Sequence, residues 1–115
     1  MLNELLGKKL FEINGLEKGN DEAIFTFEDG TKYKMYHEQD CCESVYIEDV
    51  IGNVENLIGS PLVMAEDVTE NGEDDFGTIT WTFYKFATNK GYVTIRWCGS
   101  SNGFYSESVN FIQID

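Results

Sequence analysis

The stretch Ala23-Ile24-Phe25-Thr26-Phe27-Glu28-Asp29-Gly30-Thr31-Lys32-Tyr33-Lys34-Met35-Tyr36 decides the fold class, because it reads as a β-hairpin. Two runs rich in β-branched and aromatic residues, Ala23–Phe27 and Lys32–Tyr36, flank an Asp-Gly pair. That pair supplies the positive φ angles that tight hairpin turns demand. Phe25 and Phe27 share one face at period two, and Tyr33 and Met35 do the same on the partner strand. The hairpin therefore has an apolar side that something must cover.

Toward the C-terminus the β signal continues. Thr78–Ala87 and Tyr92–Cys98 flank Thr88-Asn89-Lys90-Gly91, and Phe104–Ile114 follows the turn Gly99–Gly103, which predicts a three-stranded antiparallel meander. Val93, Ile95 and Trp97 fall on one face of its middle strand. Toward the N-terminus, Leu2–Leu6 predicts a short helical turn and Lys9–Ile13 a strand ending at Asn14-Gly15. Between the two β regions, Val45–Ile47 predicts a short strand. Val50, Ile51, Val54, Leu57 and Ile58 then follow i, i+3, i+4, i+7 spacing, which predicts a helix with Asp49 as N-cap and Gly59 as its stop. Pro61 keeps that helix from running on. Leu62–Glu66 predicts a strand, and Asp67–Gly77 an exposed polar loop. The sum is one α+β domain over residues 1–115: a twisted antiparallel sheet of about six or seven strands with one main helix, Asp49–Ile58, packed on one face.

Charge is the most informative feature of the composition. The chain of 115 residues carries a net charge of −13, and the middle third holds nearly all of it. Residues 1–37 are net −2, residues 38–75 net −12 with no base at all, and residues 76–115 net +1. A surface of this sign repels the phosphate backbone, so direct nucleic-acid binding is not expected, whereas a basic protein is the natural complement. No segment approaches the ~18 apolar residues of a membrane span, and Glu4 interrupts any signal-like apolar run at the start. Three cysteines, two of them adjacent, make a poor disulfide framework, so reduced thiols are expected.

The segment Tyr36-His37-Glu38-Gln39-Asp40-Cys41-Cys42-Glu43 concentrates the only histidine, two thiols and three acids. Structural zinc would need His37, Cys41, Cys42 and Cys98 to converge, and adjacent cysteines in an extended strand point to opposite faces. Thiol catalysis would need His37 as base toward Cys41 or Cys42, with Asp40 orienting it. The plainer reading makes Cys41 and Cys42 small buried residues, with His37 at the surface and the acids satisfying loop donors. Asp74-Asp75 lacks the spacing of a calcium loop, and Gly99–Gly103 lacks the lysine of a phosphate-binding loop.

Tyr36-His37, Gln39-Asp40-Cys41-Cys42-Glu43, Val45 and Ile47-Glu48-Asp49 resemble a family of small uncharacterised phage and prophage proteins. Thr80–Tyr84, Gly91–Trp97 and Ser101–Glu107 resemble it too, so the likeness covers most of the chain. The resemblance implies a phage origin and a host-cytoplasm setting, and it brings no catalytic residues with it. The expectation is a non-enzymatic acidic protein-binding module without a cofactor, extending to an inhibitor of host defence that acts on a basic, nucleic-acid-binding host protein. Its partner-binding acids would be Glu38, Asp40, Glu43, Glu66, Asp67, Glu70, Glu73, Asp74 and Asp75. Two alternatives stand beside it: a metal- or thiol-dependent function at His37–Glu43, and a phage accessory or assembly protein whose acidity only maintains solubility.

Overall fold

The computed structural model describes residues 2–115. Eight strands among them form two four-stranded antiparallel sheets: β1 (Leu10–Asn14), β2 (Glu22–Phe27), β3 (Lys32–Tyr36) and β8 (Asn110–Gln113) in the order β1-β2-β3-β8, and β4 (Ser44–Ile51), β5 (Met64–Asp74), β6 (Gly77–Thr88) and β7 (Gly91–Ser101) in the order β4-β7-β6-β5. Each sheet is a three-strand meander completed by a fourth strand from elsewhere in the chain. The chain crosses from sheet one to sheet two between β3 and β4, and returns between β7 and β8.

The α+β expectation is thereby corrected. Helical structure among the described residues is confined to two 3-10 turns, Leu2–Leu5 and Val54–Leu57, and the cover over the apolar hairpin face is the second sheet rather than a helix. Periodicity misled at Asp49–Ile58 because Gly52 divides that segment. Its φ is +107°, and a Cβ there would collide with the Tyr92 carbonyl of β7, so the chain turns sharply at this point. Asp49, Val50 and Ile51 on one side extend β4, paired with Arg96, Ile95 and Thr94. On the other side Asn53, not Asp49, caps the short turn by accepting the Glu55 N–H.

The predicted loop Asp67–Gly77 is likewise corrected. Met64–Asp74 pairs residue for residue with Gly77–Ala87, and only Asp75-Phe76 remain as the hairpin turn, held by the Asp74 carboxylate accepting the Phe76 and Gly77 N–H groups. Tertiary pairing overrides the low β propensity of Asp, Glu and Asn because an edge strand leaves their side chains in water. At the other end, Phe104–Ile114 contracts to Asn110–Gln113 and pairs with β3 rather than extending the meander beside β7.

The sheets pack face to face through the residues that alternate inward. Phe25, Phe27, Tyr33 and Met35 of the hairpin meet Tyr84, Phe86, Val93, Ile95 and Trp97 of sheet two, all 3% exposed or less. Phe111 of β8 closes the layer, with its ring 5.2 Å from Phe25, 5.3 Å from Tyr33 and 6.2 Å from Phe86. The Trp97 indole N–H donates to Met35 Sδ at 3.1 Å, so the largest core side chain also bridges the sheets. Each such side chain contributes roughly 1.5–3 kcal/mol by leaving water. We expect Phe25→Ala to lower the unfolding free energy by about 3–5 kcal/mol in urea titrations, whereas Tyr92→Ala, on the solvent face, should stay within about 0.5 kcal/mol of the parent.

Candidate functional site

The two crossovers meet at the segment that the sequence marks as richest in chemistry. The His37 and Glu43 side chains are 3% and 0% exposed and lie 2.7 Å apart, Nε2 to Oε2. His37 Nδ1 lies 2.7 Å from the Ser108 carbonyl on the returning crossover. The carbonyl only accepts, so Nδ1 donates to it, and Nε2 faces Glu43 Oε2, which also accepts the Asp40 N–H at 2.8 Å. Glu43 Oε1 accepts the Cys41 N–H at 2.9 Å. The His37 hydrogen bond, with those backbone donors, lowers the Glu43 carboxyl to about 2 despite its desolvation. This pair fastens one crossover to the other. Its partners are all internal, so the arrangement presents neither a free base nor a free carboxylate to a substrate.

That geometry corrects three local expectations. His37 is enclosed rather than at the surface. Glu43 turns inward and drops out of the partner-binding surface. Cys41 and Cys42, expected as reduced and buried, are exposed and joined as a disulfide. They sit in a bend rather than a strand, and the Asp40 and Cys41 backbones are pinned to one carboxylate, so the usual alternation of side-chain directions does not apply. Cys98 is the free thiol, on the outward face of β7 opposite Tyr46 and Trp81. Burial and the nearby Glu48 carboxylate push it up, away from the thiolate form. Among the described residues no three His, Cys, Asp or Glu side chains gather to hold a metal ion.

A second buried carboxylate lies one residue before Ser108. Glu107, on the returning crossover, accepts hydrogen bonds from Thr78 Oγ1 at 2.6 Å, Thr80 Oγ1 at 2.8 Å and Ser101 Oγ. Burial raises this carboxyl, and the three hydroxyl donors outweigh it, leaving the group below its ordinary value. Gly99 permits the approach, because a Cβ there would stand 2.8 Å from the Glu107 carbonyl. Sequence reasoning missed Glu107. Its isolation among Ser, Thr and Gly in the least acidic third of the chain is the signal that could have found it.

The remaining acids face solvent. Glu66, Asp67, Glu70, Glu73 and Asp74 lie exposed along β5 and Asp75 follows in its turn. Alternation with buried Ala65 puts Asp67 and Glu73 toward the inner side of sheet two, and Glu66, Glu70 and Asp74 toward the outer side. The ion pairs among the described residues join Lys8 to Asp29, Lys34 to Glu22, His37 to Glu43, and Arg96 to Glu48 and Asp49, and none reaches β5. Glu38 and Asp40 are exposed in the first crossover. Cys42 and Ser44 at its end line a shallow cavity of about 300 Å³ together with Asp74 and Phe76, so this crossover adjoins the β5–β6 turn. Phe76, at the tip, is 91% exposed.

A model of a family described as a domain of unknown function, DUF7448, matches residues 3–111, and the chain belongs to that family. No curated protein and no solved structure matches it.

Two measurements check this geometry. A carboxyl lowered from 4.5 to about 2 stabilises the fold fully above its unfolded value, and that contribution disappears as pH falls through its folded value. The stability deficit of Glu43→Gln should accordingly be largest above pH 4.5 and shrink steadily below it, as followed by urea midpoints across acid pH. Thiol titration of the unfolded chain should find one reactive group before reduction and three after it.

Proposed function

We propose that this chain is a non-enzymatic acidic protein-binding module that captures a basic surface of a partner protein on β5 and the acids beside it. One observation carries the reading: five carboxylates occupy a single exposed strand, and although Lys85 of β6 stands opposite Glu66 in register, no ion pair among the described residues reaches any of the five. At roughly 3.3 Å per residue the carboxylates from Glu66 to Asp74 extend the negative field over about 26 Å. Fields of this kind steer oppositely charged partners, raising association rates by about 10- to 1,000-fold at low salt. Glu38 and Asp40, exposed on the crossover whose Cys42–Ser44 end adjoins the β5 turn, are included in the proposed surface, and Phe76 offers an apolar anchor at that turn. Glu43 and Glu107 serve the fold instead.

The likeness to phage and prophage proteins extends the proposal to a phage-encoded inhibitor in the host cytoplasm, its target a nucleic-acid-binding component of host defence whose basic channel the carboxylates occupy. A different role is open to the same acids. Charged side chains on a long edge strand block edge-to-edge association and maintain solubility without engaging any partner, as an accessory protein would require.

Affinity capture from bacterial lysate separates the two. The wild-type chain should retain a discrete set of basic proteins at low salt, and raised salt or the triple variant Glu66→Lys, Glu70→Lys, Glu73→Lys should release them. Asp74 is left in place because its carboxylate holds the hairpin turn. Equal retention by the variant, shown to be folded by circular dichroism, would favour the solubility role.

A further inference from the structure

The strand that carries the acids is also the open edge of its sheet. We propose that β5 takes up a basic, extended segment of the partner as a fifth strand of sheet two. This inference rests on the acidic-module reading and adds to it the mode of binding and the chemistry of the ligand.

The other sheet edges are short or engaged. At β4, the Ile47 N–H donates to the Asn20 carbonyl and the Ile47 carbonyl accepts the Gly19 N–H, both at 2.7 Å. At β1, Lys9 and Leu10 form bridges to Pro61 and Ile58, and β8 spans four residues. β5 differs. It runs for eleven residues in unbroken register with β6, and among the described residues no backbone hydrogen bond from any other segment reaches Met64–Asp74. It carries no proline and no bulge, the usual devices that blunt an edge. The turn Leu2–Leu5 packs against the strand near Asp67 without bonding its backbone, and along the rest of β5 only charge guards the edge.

That guard selects the occupant. A second copy pairing edge to edge would set β5 carboxylates against β5 carboxylates, and like charges across a ladder destabilise it. A strand rich in arginine or lysine has the opposite effect. Its cations would meet Glu66 and Glu70 on the outer side of the sheet and Asp67 and Glu73 on the inner side, while its backbone completes the open ladder. The outer side also offers apolar contact. Val68 is 41% exposed there, and the Trp81 ring reaches across Gly72, where an added Cβ would lie 2.9 Å from its Cζ3. An indole lying over the edge strand is a stacking surface for a guanidinium. The fitted ligand is an arginine-rich segment with occasional apolar residues, extended when bound and disordered before.

The probe is a synthetic peptide of repeated Arg-Arg-Val-Thr long enough to span β5, alongside the same peptide N-methylated at every residue, which keeps the charge and removes the backbone donors. The full-length chain should bind the first peptide at least about tenfold more tightly than the second. Residue-resolved amide exchange should slow at alternate positions of Met64–Asp74, those whose N–H groups face away from β6. Equal binding of the two peptides, or binding that leaves exchange along β5 unchanged, overturns strand addition and leaves the electrostatic reading standing. Failure of the unmethylated peptide to bind overturns strand addition as well, and the acidic-module reading falls with it only if lysate capture is also insensitive to the Lys variants. Concentration-dependent protection of β5 in the free protein would mean that a second copy occupies the edge, and would likewise overturn the proposal.

Discussion

The buried hydrogen-bonded pair of His37 and Glu43 is the constraint on which the rest of the structure depends. Two meanders, each able to form from local hairpins, have to exchange a strand with one another, and the chain must cross between sheets twice to do so. The pair ties the two crossings together: Glu43 gathers the Asp40 and Cys41 backbone and the imidazole of one crossing, and the imidazole reaches the Ser108 carbonyl of the other. A buried charge left without its partner is costly, so the pair holds only when both crossings are in place. Glu107 repeats the device one residue along, anchoring the returning crossing to hydroxyls of β6 and β7.

Because the two sheets cover each other's apolar faces, the protein meets other molecules through what the sandwich leaves outside. Sheet two is much the longer: β5, β6 and β7 run to eleven or twelve residues, while the strands of sheet one have four to six. The inner face of sheet two changes character accordingly. It is apolar at Tyr84, Phe86, Val93, Ile95 and Trp97, and polar at Thr78, Thr80 and Ser101, where the returning crossing lies over it. The acids of β5 run along the margin of this long sheet, where water meets their charge and no core packing depends on them. The buried Glu43 and Glu107 thus serve the fold, while the exposed β5 set is left free for the recognition role proposed for it.

Much of the β architecture was legible in the residues, and for local reasons. The Asp29-Gly30 turn and the alternation of Phe25, Phe27, Tyr33 and Met35 define a hairpin without help from the rest of the chain, and those four side chains are buried. Val93, Ile95 and Trp97 mark the inner face of β7 in the same way. The helix expectation failed because i, i+3, i+4 spacing over Val50–Ile58 says nothing about a close approach between Gly52 and β7, and that contact divides the segment into strand and turn. The loop expectation over Asp67–Gly77 failed because composition describes what a side chain prefers, not whether a neighbouring strand offers its backbone a ladder.

At the site, the sequence by itself determined where the charge lies along the chain and that the histidine, two thiols and three acids of His37–Glu43 fall together. Those are properties of order and composition, and folding does not alter them. Only the tertiary structure decided which acids are available. Glu107 is distant in sequence from Thr78 and Thr80, whose hydroxyls hold it, and the imidazole that meets Glu43 is itself fixed by the distant Ser108 carbonyl, so these carboxylates turn inward only where the two crossings converge in space. The same pairing that made a strand of Asp67–Asp74 left it at the sheet's open edge, since a strand's position in a sheet follows from which partners reach it and cannot be read from its own residues.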